Sequence, residues 1–163
     1  MNKQEIYDLL IQKNIPHEIT EHEAVYNMAE VAMIELPHPE AEAKNLFIRD
    51  DKKQNFYLIT VKGDKRVDLK QFRKDHSTRA LHFVSAELLM DILGLIPGAV
   101  TPMGLLNDEE CKVHWFLDEA FKESPNLIGV HPNDNSATVW LKPEDLVELI
   151  TEHGNEMDWI EVL

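Results

Sequence analysis

The stretch from Gly94 to Gly104 sets the strongest limit on how this chain can fold. Gly94, Pro97, Gly98, Pro102 and Gly104 fall within eleven residues. Neither a helix interior nor a central strand tolerates that density, because proline removes a backbone donor and glycine leaves the chain unrestrained. The segment is expected to be a loop. Glycine lets backbone approach a ligand closely, and proline stiffens the frame around it. A rigid loop of bare amide N–H groups suits an oxygen-rich substrate. A second stretch of similar character runs from Gly129 to Thr138 and reads Gly-Val-His-Pro-Asn-Asp-Asn-Ser-Ala-Thr. Around the two there is no Ser/His/Asp nucleophile signature, no phosphate-binding Walker loop and no paired-cysteine site. Chemistry in this chain would rest on backbone, a lysine, a histidine and water.

At 163 residues, 44% of them hydrophobic, the chain is expected to form a single domain over 1–163 with one sizeable core. No apolar run approaches the roughly 18–20 residues of a membrane span. Met1 to Glu5 leads into an amphipathic helix, not a signal peptide. Cys111 is the only cysteine, so no intrachain disulfide can form, and a cytoplasmic protein is the simplest expectation. The net charge of −14 argues against a surface that grips nucleic acid all over. Its distribution is uneven. Residues 44–79 carry eleven of the sixteen Lys and Arg against five aspartates, a net of +6, which leaves −20 on the remainder. That segment reads either as a solvated charged face or as one basic flank that steers a polyanion.

Helical spacing at Ile6, Leu9 and Leu10 predicts a first helix that ends by Asn14 to Pro16, with a short strand from His17 to Glu21. Asn27 and Glu30 read as a capping box opening a second helix, broken at Pro37 to Pro39. Leu46 to Ile48 and Phe56 to Val61 read as strands around a hairpin loop at Asp50 to Lys53. A short helix with Leu69 and Phe72 and a strand at Leu81 to Val84 follow. Ser85 then caps a helix that stops at Gly94. Further strands are expected at Val113 to Leu117, Leu127 to Ile128, Ala137 to Leu141 and Trp159 to Val162. A short helix falls at Asp118 to Glu123, and another opens at Pro143 and ends at Gly154. Hairpin-like strand runs with interspersed helices predict an α+β domain around a mixed sheet or barrel.

Eight histidines invite a metal site, yet neither the His17/His22 nor the His76/His82 pair has the spacing of a metal-binding helix, and none is expected. His131 sits in a Gly/Pro/Asn loop, where a side chain has little packing to do. Lys44 lies just before an apolar strand and reads either as a partnered surface lysine or as a functional one. Met28, Met33, Trp115 and Trp140 are expected in the core, and Asp108 to Glu110 as a solvated turn.

The ordered set of segments resembles the YbaK/prolyl-tRNA-synthetase-associated editing-domain superfamily, and within it the freestanding ProXp-ala group. Lys44-Asn-Leu-Phe-Ile-Arg-Asp50 is similar to that group's Lys-Asn-Leu-Phe-Leu-Arg/Lys-Asp strand. Gly98-Ala-Val-Thr-Pro102 is similar to its Gly-x-x-x-Pro loop, and Met103 to Asp108 continues the pattern. His131-Pro-Asn-Asp-Asn135-Ser-Ala-Thr138 is similar to its His-Pro-x-x-Asn-x-x-Ala-Thr segment, with Ala137-Thr138 one position nearer to Asn135. The chain departs from the family at Asn133-Asp134, where many relatives have leucine and a variable residue, and at Ile48, where leucine is common.

The resemblance implies a mixed, mostly antiparallel, barrel-like sheet with flanking helices. It also implies hydrolysis of mischarged Ala-tRNA(Pro), with Cys- or Ser-charged tRNA as alternative substrates, or a non-catalytic tRNA- or synthetase-binding adaptor. Lys44 would anchor the terminal adenosine region. Gly98 and Pro102 would frame the loop that positions ester carbonyl and water. Ala99, Val100, Thr101, His131 and Asn135 would contact substrate, with His131 on the amino-acid side. The expected partners are the aminoacylated tRNA(Pro) 3′ end and prolyl-tRNA synthetase, with no cofactor, metal, DNA or membrane. The chemistry is consistent with this. An aminoacyl ester is an activated acyl donor that needs a placed water and a stabilised oxyanion more than a strong nucleophile. A small pocket that admits alanine and excludes proline supplies a second sieve where binding alone discriminates poorly.

Overall fold

Period-two alternation organises the centre of the structure, a computed structural model that describes residues 1–24, 35–63 and 65–163. The described elements run α1 (Lys3–Gln12), β1 (His17–Glu21), β2 (Ala43–Asp50), β3 (Phe56–Lys62), α2 (Leu69–His76), β4 (Leu81–Phe83) and α3 (Ala86–Leu93). They continue with β5 (Val113–Asp118), β6 (Ile128–Val130), β7 (Ala137–Leu141), α4 (Pro143–His153) and β8 (Met157–Ile160). Five strands form one sheet in the order β4-β2-β3-β5-β8, and three form another in the order β1-β7-β6. β3–β5 and β5–β8 are parallel, and the remaining pairs are antiparallel. The sheets meet through a bridge between Glu42 and Gly129. This is the expected α+β arrangement.

Successive side chains of a strand point to opposite faces. Ala43 and Phe47 of β2, Leu58 of β3 and Trp115 of β5 therefore enter the main core, which α1, α3 and α4 cover. Leu46 and Ile48, with Ile59, Val61 and Phe116, enter a second cluster under Phe72 of α2. The large five-stranded sheet thus has an apolar group on each face.

Local chemistry sets the boundaries. The Asn2 side chain accepts from the Glu5 amide and the Glu5 side chain from the Asn2 amide, a complete capping box. Ser85 caps α3 by accepting from Leu88 N–H, and Asp68 caps α2 through Gln71 N–H. Pro143 occupies the first turn of α4, where its missing N–H costs nothing. Buried Asp50 closes the β2–β3 hairpin, its carboxylate accepting from Gln54 N–H and Asn55 Nδ2, each at 2.8 Å.

Three expectations need correction, and one lies outside the described residues. The glycine- and proline-rich stretch is not loop throughout: Pro102–Asn107 forms a 3₁₀ helix, whose first turn accepts Pro102 as an α-helix's would. β8 starts two residues early, at Met157, because Met157 pairs with Trp115 on β5. Asp108 is no solvated residue. It is 3% exposed and accepts from Lys112 N–H, Val113 N–H and Asn155 Nδ2, fixing the start of β5. The capping box at Asn27 and Glu30, like Met28 and Met33, falls outside the described residues.

Gly129 shows why one strand position admits no side chain. It pairs with Trp140 on β7, and a Cβ built on it would lie 2.3 Å from the Trp140 ring. That ring covers the strand beside the bridge between sheets, and its indole N–H donates to Thr20 Oγ1 on β1 at 3.0 Å.

Candidate functional site

Two loops distant in sequence are brought together at the seam between the sheets. Gly98 has φ +87°, the left-handed region open to glycine, and turns the chain into the Ala99–Pro102 segment. Ala99 and Pro102 are buried, whereas Val100 is half-buried against the main core. Thr101 is fully buried and acts in two directions. Its hydroxyl donates to the His131 carbonyl at 2.6 Å, and its Oγ1 accepts from Met103 N–H to cap the 3₁₀ helix. The backbone N–H groups of Gly98, Val100 and Thr101 take no partner among the described residues.

The second loop, His131 to Ser136, joins β6 to β7. His131 is better packed than its loop composition suggests: its Nδ1 donates to the Ala137 carbonyl at 2.9 Å, and its ring meets His22 edge-on at 6.1 Å. A carbonyl only accepts, so Nδ1 carries the proton and Nε2 is left as the acceptor of the neutral ring. Burial, reinforced by His22, pushes the His131 pKa below its usual value. His22 is likewise oriented, with Nδ1 donating to the Glu23 carbonyl and Nε2 facing Thr138 Oγ1 at 2.9 Å. Asn135 is buried in the same loop. The Ser136 hydroxyl and N–H both donate to Asp134, holding that carboxyl below the usual range. Asn133, in the left-handed region at φ +61°, donates to the Met1 carbonyl.

From β2 it is Asn45 that reaches the first loop, donating from Nδ2 to the Val100 carbonyl at 3.2 Å. Lys44 points to the other face of the strand, where its ammonium donates to the Lys65 carbonyl at 3.3 Å. Lys44 nevertheless stays at the seam. Counted from the Glu42–Gly129 bridge, Lys44 and His131 are each two residues onward along parallel-running chains. Asn45 is the residue that sequence reasoning passed over. The only available signal was its place beside Lys44 in the strand motif.

Among the described residues no group of His, Cys, Asp and Glu is arranged to hold a metal ion. A cleft of about 480 Å³ lies at the other end of the large sheet, lined by His76, His114, Glu156 and Asp158 among others. Three of its polar groups are engaged with one another: the His114 ring nitrogens lie 2.7 Å from Asp158 and 3.5 Å from Glu156. No helix of the described residues is long and apolar enough to cross a membrane.

Among the described residues the site thus combines backbone donors without a partner and a neutral oriented imidazole, an arrangement that suits water attack on an activated ester. Residues 22–149 match the family model for the aminoacyl-tRNA editing domain. The chain is 37% identical over 165 residues to the prolyl-tRNA editing protein ProX of Acetoanaerobium sticklandii, covering 98% of this chain and 97% of that one. It is 32% identical to the mouse prolyl-tRNA synthetase associated domain-containing protein 1, over 85% of this chain and 83% of the relative. A solved structure described as a candidate trans-editing enzyme for prolyl tRNA synthetase superposes with a TM-score of 0.70 at 17% identity. It covers 98% of this chain and 95% of its own, and shows the shared fold.

Proposed function

This chain belongs to the aminoacyl-tRNA editing domain family and is an aminoacyl-tRNA deacylase; from that premise we propose that it acts as a freestanding editor on mischarged Ala-tRNA(Pro). The observation that carries this reading is the 2.6 Å bond from Thr101 to the His131 carbonyl, which joins a backbone-donor loop to an amino-acid-side histidine. In the proposed reaction the ester carbonyl lies along Gly98 to Pro102. Water attacks it, and negative charge developing on its oxygen is stabilised by loop N–H groups that have no other partner among the described residues; the ester C–O bond then breaks, and the leaving ribose oxygen takes up a proton as the amino acid is released. Neutral His131 presents Nε2 to the amino-acid side, where it can accept from the α-ammonium of the substrate. The walls formed by Ala99, Val100, Thr101 and Asn135 hold the small side chain. Lys44, at the seam, takes the polar 3′-terminal nucleotide. Prolyl-tRNA synthetase is the proposed protein partner, in keeping with the names of the relatives.

The test is a deacylation panel on Ala-, Cys-, Ser- and Pro-tRNA(Pro), with and without EDTA. Fastest hydrolysis of the Ala ester, unchanged by chelator, is expected. A preference for Cys or Ser would reassign the substrate, and a rate abolished by chelator and restored by zinc or manganese would overturn the water-and-backbone mechanism.

A further inference from the structure

We propose that Thr60 and Trp115, two core residues on strands, are positioning residues for the Gly98–Pro102 loop, acting through Asn45. The inference rests on the editing function proposed above. Three hydrogen bonds form a continuous relay. The Trp115 indole N–H donates to Thr60 Oγ1 at 2.9 Å, the Thr60 hydroxyl donates to Asn45 Oδ1 at 2.6 Å, and Asn45 Nδ2 donates to the Val100 carbonyl at 3.2 Å. The residues lie on three adjacent strands, β5, β3 and β2, with Asn45 and Thr60 directly opposite one another.

Chemistry gives the relay one direction. An indole N–H can only donate, so Thr60 Oγ1 must accept from it, and the Thr60 proton is then free for Asn45. With Oδ1 committed as acceptor, the Asn45 amide can present only its NH₂ end to the loop. Without the Thr60 hydroxyl both amide orientations become available, and one of them sets Oδ1 against the Val100 carbonyl, oxygen against oxygen. The burial pattern supports a role beyond packing. Thr60 and Trp115 are both 0% exposed, and Thr60 stands between Ile59 and Val61 in a strand where valine would fit the same space. A buried hydroxyl costs free energy unless it is satisfied, and this one is satisfied on both sides along a line that ends at the substrate loop. The loop is therefore held twice, at Val100 by the relay and at Thr101 by the His131 carbonyl.

Thr60→Val removes the hydroxyl at constant shape, and Thr60→Ser keeps it while removing a methyl group. Measured on Ala-tRNA(Pro), Thr60→Val should lower kcat about tenfold or more with KM within about twofold, since alignment of the reacting groups suffers more than substrate binding. Thr60→Ser should recover most of the rate despite packing worse. Trp115→Phe in the Thr60→Val background should add little, as expected of groups acting as a unit. Amide hydrogen exchange at Ala99 and Met103, whose N–H groups donate to the Ile96 carbonyl and to Thr101 Oγ1, should quicken in Thr60→Val and return toward wild type in Thr60→Ser. Wild-type kcat and loop exchange in folded Thr60→Val, or a Ser variant no better than the Val one, would overturn the relay. If the wild-type protein hydrolyses none of the four esters, the editing reading fails, and loop exchange alone still decides whether the relay holds the loop.

Discussion

At the scale of single residues the site depends on protonation and on backbone conformation. Burial lowers the His131 pKa below 6.5, so the unfolded chain takes up this proton at higher pH than the folded one. Between the two values the unfolded state binds more protons, and stability rises with pH there. The contribution is complete above about 6.5 and disappears as pH falls through the folded value. His131→Asn should flatten this part of a stability–pH curve measured between pH 7 and 5; an unaltered slope would mean that the ring is not buried as described. His131→Ala should chiefly change the ratio of kcat/KM for Ala- and Pro-tRNA(Pro). Gly98→Val should lower the rate on every ester, because a branched residue at φ +87° is strained and the loop must move. Reversed outcomes, with Gly98→Val shifting preference and His131→Ala lowering both esters alike, would exchange the two roles. Lys44→Ala should remove most deacylation without altering the melting temperature, and full turnover in that variant would exclude a role for Lys44.

At the scale of elements, Gly129 marks where two strands are locked. A Cβ there would meet the Trp140 ring at 2.3 Å, and the ring is tethered to Thr20. Gly129→Ala should therefore destabilise the fold by about 1–3 kcal/mol, as overpacking does, read from chemical denaturation. An unchanged midpoint would show that Trp140 can move aside. Helix limits such as Ser85, Gly94, Pro143 and Gly154 were legible in the sequence because a cap is written within four residues of the end it closes. Strand identity was legible at Phe56 to Lys62 and Ala137 to Leu141 for a similar reason, a run of β-branched and aromatic residues. The pairing order was not, because β1 on β7 and β8 on β5 are choices made across more than forty residues. The inward turn of Asp108 was hidden too, since its partner Asn155 lies 47 positions away. Asn45 was missed because one step along β2 separates the two faces of the sheet, and motif spacing does not say which face meets the loop.

At the scale of the molecule, the basic stretch is only partly available for docking. Lys65 is bound to Asp118, which is 1% exposed, and Arg79 is paired with Asp51. Removing Lys65 takes away the cation and leaves the buried carboxylate only the backbone N–H groups of Lys62 and Ala120, so Lys65→Met should cost roughly 2–3 kcal/mol, somewhat less than a fully enclosed pair because Lys65 keeps some solvent exposure. Lys52, Lys53, Lys70 and Lys74 are exposed and make no ion pair among the described residues. Changing these four to glutamine should weaken tRNA binding and reduce its dependence on salt by about 0.7–0.9 in log–log slope for each phosphate no longer neutralised. Hydrolysis of a small aminoacyl ester should stay the same. An identical salt slope would place docking elsewhere. The pairing of β1 with β7 also bears on how the protein is made. Residues 17–21 leave the ribosome about 120 positions before the strand they lie against, and His131 appears thirty residues after the threonine that binds its carbonyl. The β1–β7 pairing and the Thr101–His131 bond are consequently complete only once synthesis has passed β7, so on the function proposed above an unfinished chain would have no deacylase activity.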